Sequence, residues 1–130
     1  ICRYAFYNCS KFDSTVLINS TFIGDCAFLL TKLTVKLRLY NNNNNYDIQI
    51  GSYAFAGLTI SCSLYFNQNA RVVIYDYAFY KCIFRCSFDS THYLNFANVV
   101  VYPYSFAHCN FMSQFVLMLN QVELKSRCFE

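Results

Sequence analysis

Aliphatic residues alternate with other side chains in short runs along the chain: Ile48/Ile50, Val72/Ile74, Val99/Val101 and Val122/Leu124. A period of two puts one strand face inward and the other outward, so each run predicts a half-buried β-strand. Each run ends on the first residue of a six-residue pattern: aliphatic, three residues, a small residue, then Phe. The copies are Ile1-Cys-Arg-Tyr-Ala5-Phe6, Ile23-Gly-Asp-Cys-Ala27-Phe28, Ile50-Gly-Ser-Tyr-Ala54-Phe55, Ile74-Tyr-Asp-Tyr-Ala78-Phe79 and Val101-Tyr-Pro-Tyr-Ser105-Phe106. A sixth copy, Leu124-Lys-Ser-Arg-Cys128-Phe129, stops at the chain end.

Successive starts lie 22, 27, 24, 27 and 23 residues apart, a period that signals a stacked repeat with loops of variable length. Other columns keep the same phase. Three residues after the Phe stand Cys9, Thr31, Leu58, Cys82 and Cys109; five after it, Leu33, Ile60, Phe84 and Phe111; nine after it, Leu37, Leu64, Phe88 and Phe115. Eleven after it stand Leu39, Phe66 and Leu117, with Ser90 breaking the column. The first copy fits with one inserted residue, which brings in Phe12, Val16 and Ile18. The unit therefore reads as strand, short strand and a short helical turn at Ala-Phe. One such unit cannot cover its own apolar face, so neighbours must stack. The expectation is a mainly β solenoid, a single body over 1–130 with starts at 1, 23, 50, 74, 101 and 124. In it Phe6, Phe28, Phe55, Phe79 and Phe106 form one continuous column.

Composition sharpens this picture. Apolar residues make up 56% of 130 and charged ones 13%, yet the apolar residues are scattered and no run approaches a membrane-spanning helix. Fourteen Phe and twelve Tyr, against three Gly and one Pro, favour strands. A net charge of +3 is too small to point to nucleic acid. The chain opens and stops inside a motif, so further repeats of the same chain are expected at both ends. End units lacking polar caps predict self-association or poor solubility of this segment.

The pattern Ile-Gly-x-x-Ala-Phe-x-x-Cys resembles the BspA-like leucine-rich repeats. Ile23-Gly24…Ala27-Phe28 and Ile50-Gly51…Ala54-Phe55 carry its start, and Ala5-Phe6…Cys9, Ala78-Phe79…Cys82 and Phe106…Cys109 carry its end. The Gly is kept in two copies, and Phe often replaces Leu. The resemblance covers the whole chain. It implies a leucine-rich-repeat-type right-handed superhelix of stacked parallel strands. It also implies a non-catalytic protein-binding module of a cell-surface adhesion or host-interaction protein, extracellular, with a host or matrix protein as ligand. The alternative function is a structural spacer or an intracellular scaffold.

Reactive side chains fit this frame without requiring chemistry. Most of the eight cysteines occupy repeat slots (Cys9, Cys82 and Cys109 in one, Cys62 and Cys86 in another), where a thiol behaves as a small apolar residue, so free thiols are expected. Cys82-x-x-x-Cys86 near His92 matches no common zinc spacing, so no metal is expected. His108 adjoins Cys109, and neighbouring side chains on an extended segment diverge. No nucleophile, base and oxyanion donor converge, so neither an enzyme nor a cofactor is expected. Asn41 to Asn45 read as a polar loop at a repeat edge. Asn8-Cys-Ser and Asn19-Ser-Thr fit the glycan acceptor pattern.

Binding is expected on the outward side of the main strands. Residues eight, ten and twelve after the Phe place Lys36, Arg38, Tyr40, Ser63, Tyr65, Asn67, Asp89 and Gln114 on that face. Thr15, Leu17 and Asn19 represent the first copy there, and Ser87, Thr91, Val116 and Met118 complete the later ones. Tyr and Arg are enriched at interface hot spots, so Lys36, Arg38, Tyr40 and Tyr65 are the leading candidates.

Overall fold

A computed structural model describes residues 1–11, 15–18, 20–39, 47–60, 65–66, 71–85, 94–96, 98–112, 117–119 and 122–130, with backbone alone at 17, 36–39, 65–66, 94–96 and 117–119. The β-branched and aromatic runs form short strands, and every strand pair among the described residues is parallel. One sheet runs β1 (Thr15–Ile18), β3 (Thr34–Leu39), β5 (Thr59–Ile60), β8 (Ile83–Phe84) and β11 (Asn110–Phe111), with β6 (Tyr65–Phe66) also paired to β3. A second sheet runs β2 (Phe22–Ile23), β4 (Ile48–Ile50), β7 (Arg71–Ile74), β10 (Asn98–Val101) and β13 (Val122–Leu124). β9 (Leu94–Phe96) pairs with β12 (Leu117–Leu119).

The second sheet keeps the phase of the motif. Ile23 lies beside Ile50, Ile50 beside Ile74, Ile74 beside Val101 and Val101 beside Leu124. The Gly24 N–H donates to the Ile1 carbonyl at 2.9 Å, as Gly51 N–H does to Ile23 at 2.7 Å, so the first motif joins the same row. Alternation of the aliphatic residues turns Ile48, Ile50, Val72, Ile74, Val99 and Val101 into the interior.

In the first sheet the register departs from the spacing expected. Val35, not Leu33, lies beside Ile60, which lies beside Phe84 and then Phe111. In the first copy Val16 pairs with Val35 and Ile18 with Leu37, so more than one residue is inserted there. Leu94, not Ser90, lies beside Leu117. Each slip is by two or four residues. An odd slip would turn the buried set to solvent, whereas an even one preserves the face. Ile18, Val35, Ile60 and Phe84 are accordingly buried, and Leu33 is buried in its own right.

The short helical turns expected at Ala-Phe do not form; among the described residues there is no helix. The N–H groups of these segments alternate between two destinations. The Ala54 N–H bonds back to the Gly51 carbonyl at 3.2 Å, while the Phe55 N–H leaves for the Ala78 carbonyl of the next unit at 2.9 Å. Phe28 reaches Ala54 and Phe79 reaches Ser105 in the same way, at 2.9 and 2.8 Å. An α-helix needs each N–H to reach back four residues, and here alternate donors are committed to the neighbouring unit. The resulting turns require left-handed backbone two residues before and two after the Phe: Tyr53 (φ 56°) and Gly57 (φ 78°), Tyr77 (59°) and Lys81 (56°), Tyr104 (57°) and His108 (56°). A non-glycine residue there costs roughly 1–2 kcal/mol, offset by bonds and packing between units.

Six phenylalanine rings stack through the middle. Phe6, Phe28, Phe55, Phe79, Phe106 and Phe129 follow one another with centroids 5.0 to 5.4 Å apart and planes within 12° of parallel. Burial of such a side chain contributes about 1.5–3 kcal/mol. The aliphatic rows of both sheets and the Ala27, Ala54 and Ala78 methyls pack around the stack in one cluster. The small residue before each Phe lets the turn lie against the strands. Where it becomes Ser105, the buried hydroxyl donates to the Tyr75 carbonyl at 3.1 Å and to that of Tyr102.

Candidate protein-binding face

The outer side of the first sheet is built from the residues that alternate with its buried row. Thr15 and Asn110 are exposed, and Thr34, Thr59 and Ile83 are half-buried; all five lie side by side in register. Further along β3, Lys36 lies beside Leu17, where Thr15 was expected, and Arg38 lies beside Tyr65. The backbone thus brings two leading candidates, Arg38 and Tyr65, into one pair, with Lys36 two residues before Arg38 on the same strand. At the far end Asn95 lies beside Met118, the slot expected of Thr91. Tyr40, Ser63, Asn67, Asp89 and Gln114 lie outside the described residues, as do Asn19, Ser87, Val116 and the Asn41–Asn45 run.

A second aromatic surface falls outside the columns expected from the spacing. Tyr53, Tyr77 and Tyr104 stack with centroids 4.8 and 5.0 Å apart, two residues before the core Phe and on the outside of the turns. The Tyr80 ring packs edge-on against Tyr77 and against His108, and the Lys81 ammonium lies 5.1 Å from its centroid. Arg127 continues the row and donates to the Tyr104 hydroxyl at 3.0 Å. Partial burial, with Tyr77 and Tyr80 beside it, raises the Tyr53 pKa above its ordinary value. The signal was present in the motif itself, where Tyr4, Tyr53, Tyr77 and Tyr104 share one position.

Two of the cysteines that stand three residues after the Phe serve the interior. Cys82 Sγ bonds the Phe55 carbonyl at 3.0 Å and Cys109 Sγ the Phe79 carbonyl at 2.9 Å, each reaching the unit before its own. Burial pushes the Cys82 thiol far above its ordinary value and that of Cys109 up to about 11. Both stay protonated donors near neutrality, which makes them poor nucleophiles. The six cysteines among the described residues are free, with Cys2 and Cys9 exposed; Cys62, Cys86 and His92 lie outside those residues. Among the described residues no three His, Cys, Asp or Glu side chains gather where they could hold a metal ion. No helix among them is long and apolar enough to cross a membrane. No protein-family model, curated protein or solved structure matches the chain.

Proposed function

We propose that the chain is a solenoid of leucine-rich-repeat type, its units the coils of a right-handed superhelix. Its function is that of a non-catalytic protein-binding module in an extracellular, cell-surface adhesion or host-interaction protein. The observation that carries this reading is the outer side of the first sheet, where five parallel strands set equivalent positions side by side. Solenoids use such faces to bind other proteins. The resemblance to BspA-like repeats supplies the surface location and a host or matrix protein as ligand. On this reading the binding residues centre on Arg38 and Tyr65, and the spacing along the sequence adds Lys36, Tyr40, Ser63, Asn67, Asp89 and Gln114.

The test is capture of the folded chain on immobilised collagen, fibronectin and laminin. The combined variant Arg38→Ala, Tyr40→Ala, Tyr65→Ala is compared with the parent, and circular dichroism checks that the fold is kept. Binding to one of these proteins, weakened at least about tenfold by the block, is expected if the three side chains include a hot spot. Binding that the block leaves unchanged moves the site elsewhere. An absence of binding to all three removes the matrix-adhesion reading and favours a spacer.

A further inference from the structure

We infer that Tyr53, Tyr77 and Tyr104 form a site of oxidative cross-linking, where a haem peroxidase and hydrogen peroxide couple neighbouring phenols into dityrosine. The bonds staple three successive units to one another. The inference is independent of the binding face just described, because it concerns the turns and uses none of that face's residues.

The three rings occupy one slot of consecutive units. Tyr53 and Tyr77 lie 4.8 Å apart with planes 5° from parallel, and Tyr77 and Tyr104 lie 5.0 Å apart at 11°. Equivalent slots carry equivalent atoms, so a ring carbon beside one hydroxyl has its counterpart about one ring spacing away in the next unit. The backbone fixes that spacing: the Tyr53 N–H donates to the Asp76 carbonyl at 3.3 Å, and the Tyr77 N–H to that of Pro103 at 3.4 Å. Tyr53 is exposed and the other two are half-buried, so an oxidant reaches the row and a ring has room to tilt toward its neighbour. The phenylalanine stack shares the spacing but is buried and has no phenol to oxidise. Other tyrosines are less well placed. Tyr80 meets Tyr77 edge-on at 79°, and Tyr75 and Tyr102 lie 5.3 Å apart with planes tilted by 28°. Tyr4 stands in the same slot, but Cys26 takes that slot in the unit between it and Tyr53.

Each of two phenols loses one electron to the peroxidase haem and its hydroxyl proton to water. The unpaired electron spreads onto the ring carbons beside the oxygen, and a bond forms between one such carbon on each ring. The hydrogen on each bonded carbon then passes to the oxygen through water, which restores both phenols. One hydrogen peroxide takes up the two electrons and two protons and leaves as two waters. Each bond therefore costs the chain two hydrogen atoms. Because the fold already holds the rings together, coupling within a chain outruns coupling between chains. Tyr53 and Tyr77 are 24 residues apart, and Tyr77 and Tyr104 27 apart. A covalent bond across such a span restricts the unfolded chain, as a disulfide does.

The test treats the folded chain with a haem peroxidase and hydrogen peroxide, then reads dityrosine by fluorescence and by mass spectrometry of tryptic peptides. Trypsin separates the three rings, with Tyr53 in 39–71, Tyr77 in 72–81 and Tyr104 in 86–125. The expected product joins 72–81 to one or both of the others within a single chain, at a yield per chain that does not change with protein concentration. Tyr77→Phe keeps a ring in the stack and should abolish both joined peptides, whereas Tyr75→Phe should leave them intact. Circular dichroism checks that both variants are folded. The oxidised parent should also unfold at a higher urea concentration than the untreated chain. The absence of joined peptides overturns the inference, as does their survival in Tyr77→Phe or their loss in Tyr75→Phe. A bond through peptide 4–11, which carries Tyr4, overturns it too, since stacking would then not select the partner.

Discussion

Phe55 and Phe129 are the same residue in the same slot of the same motif, yet one is fully buried and the other 46% exposed. Among the described residues, the units from Phe28 to Phe106 have a neighbour on each side, and those of Phe6 and Phe129 have one. Since no unit covers its own apolar face, a side chain's contribution here depends on its neighbours more than on its identity. The last unit shows this in its aliphatic slot too: Leu124 is 53% exposed, while its row-mates Ile50 and Ile74 are buried. Ion pairs do not compensate, because Arg3–Asp25, Arg127–Glu130 and Lys125–Glu123 are all substantially exposed and contribute little.

The sharpest test of this comparison is a pair of truncations. Phe79→Ala should cost about 3–5 kcal/mol, because intact rings on both sides prevent collapse of the cavity. Phe129→Ala should cost about 1 kcal/mol or less in urea titrations at a concentration where the chain is monomeric. Equal costs would mean that the stack is not the source of burial. A smaller contrast is expected at the two motif glycines. A Cβ on Gly51 would meet the Asp25 backbone nitrogen at 2.6 Å and the Gly24 carbonyl carbon at 2.7 Å, inside the stack of units. A Cβ on Gly24 would meet the backbone of Arg3 and Cys2 in the outer unit at 2.5 to 2.8 Å. Gly51→Ala should cost about 1–3 kcal/mol as an overpacking substitution, and Gly24→Ala less, because the outer unit can shift. Thermal denaturation of the two variants decides the order.

Alkaline pH should loosen the units that hold buried thiols. The thiols of Cys82 and Cys109 titrate higher in the folded chain than the ordinary value of 9.0, with Cys109 at about 11. A raised folded pKa means that the unfolded chain loses these protons first, so their contribution is fully present below pH 9 and falls as pH rises toward 11. Urea midpoints measured from pH 8 to pH 11 should decline, and the Cys82→Ala, Cys109→Ala double variant should decline less steeply. The smallest effect is expected on the exposed side of one inner turn. Lys81→Gly removes left-handed strain at φ 56°, as Gly57 already does one unit earlier. A gain of up to about 1 kcal/mol is expected, reduced by the larger entropy that glycine carries in the unfolded chain. A loss of stability there would show that the lysine side chain contributes more than the strain costs.

Much of this arrangement was readable in the order of residues. The row from Ile23 to Leu124 and the phenylalanine column follow from spacing because strand side chains alternate with a fixed period. The candidate face was legible only in part: Arg38 and Tyr65 do lie side by side, but the spacing did not point to Thr34, Thr59 or the tyrosine stack. The first-sheet register was not legible because extra residues fall between motifs, and spacing alone cannot say which strand absorbs them.

The sequence by itself determined that one face of each strand is apolar and that a Phe recurs at a constant distance from it, because both are local properties of a periodic chain. Only the tertiary structure decided whether Val35 or Leu33 stands beside Ile60. It also decided that the Ala-Phe segments become turns instead of helices. Both depend on where backbone N–H groups find their acceptors, and here alternate donors in those turns find theirs in a neighbouring unit more than twenty residues away.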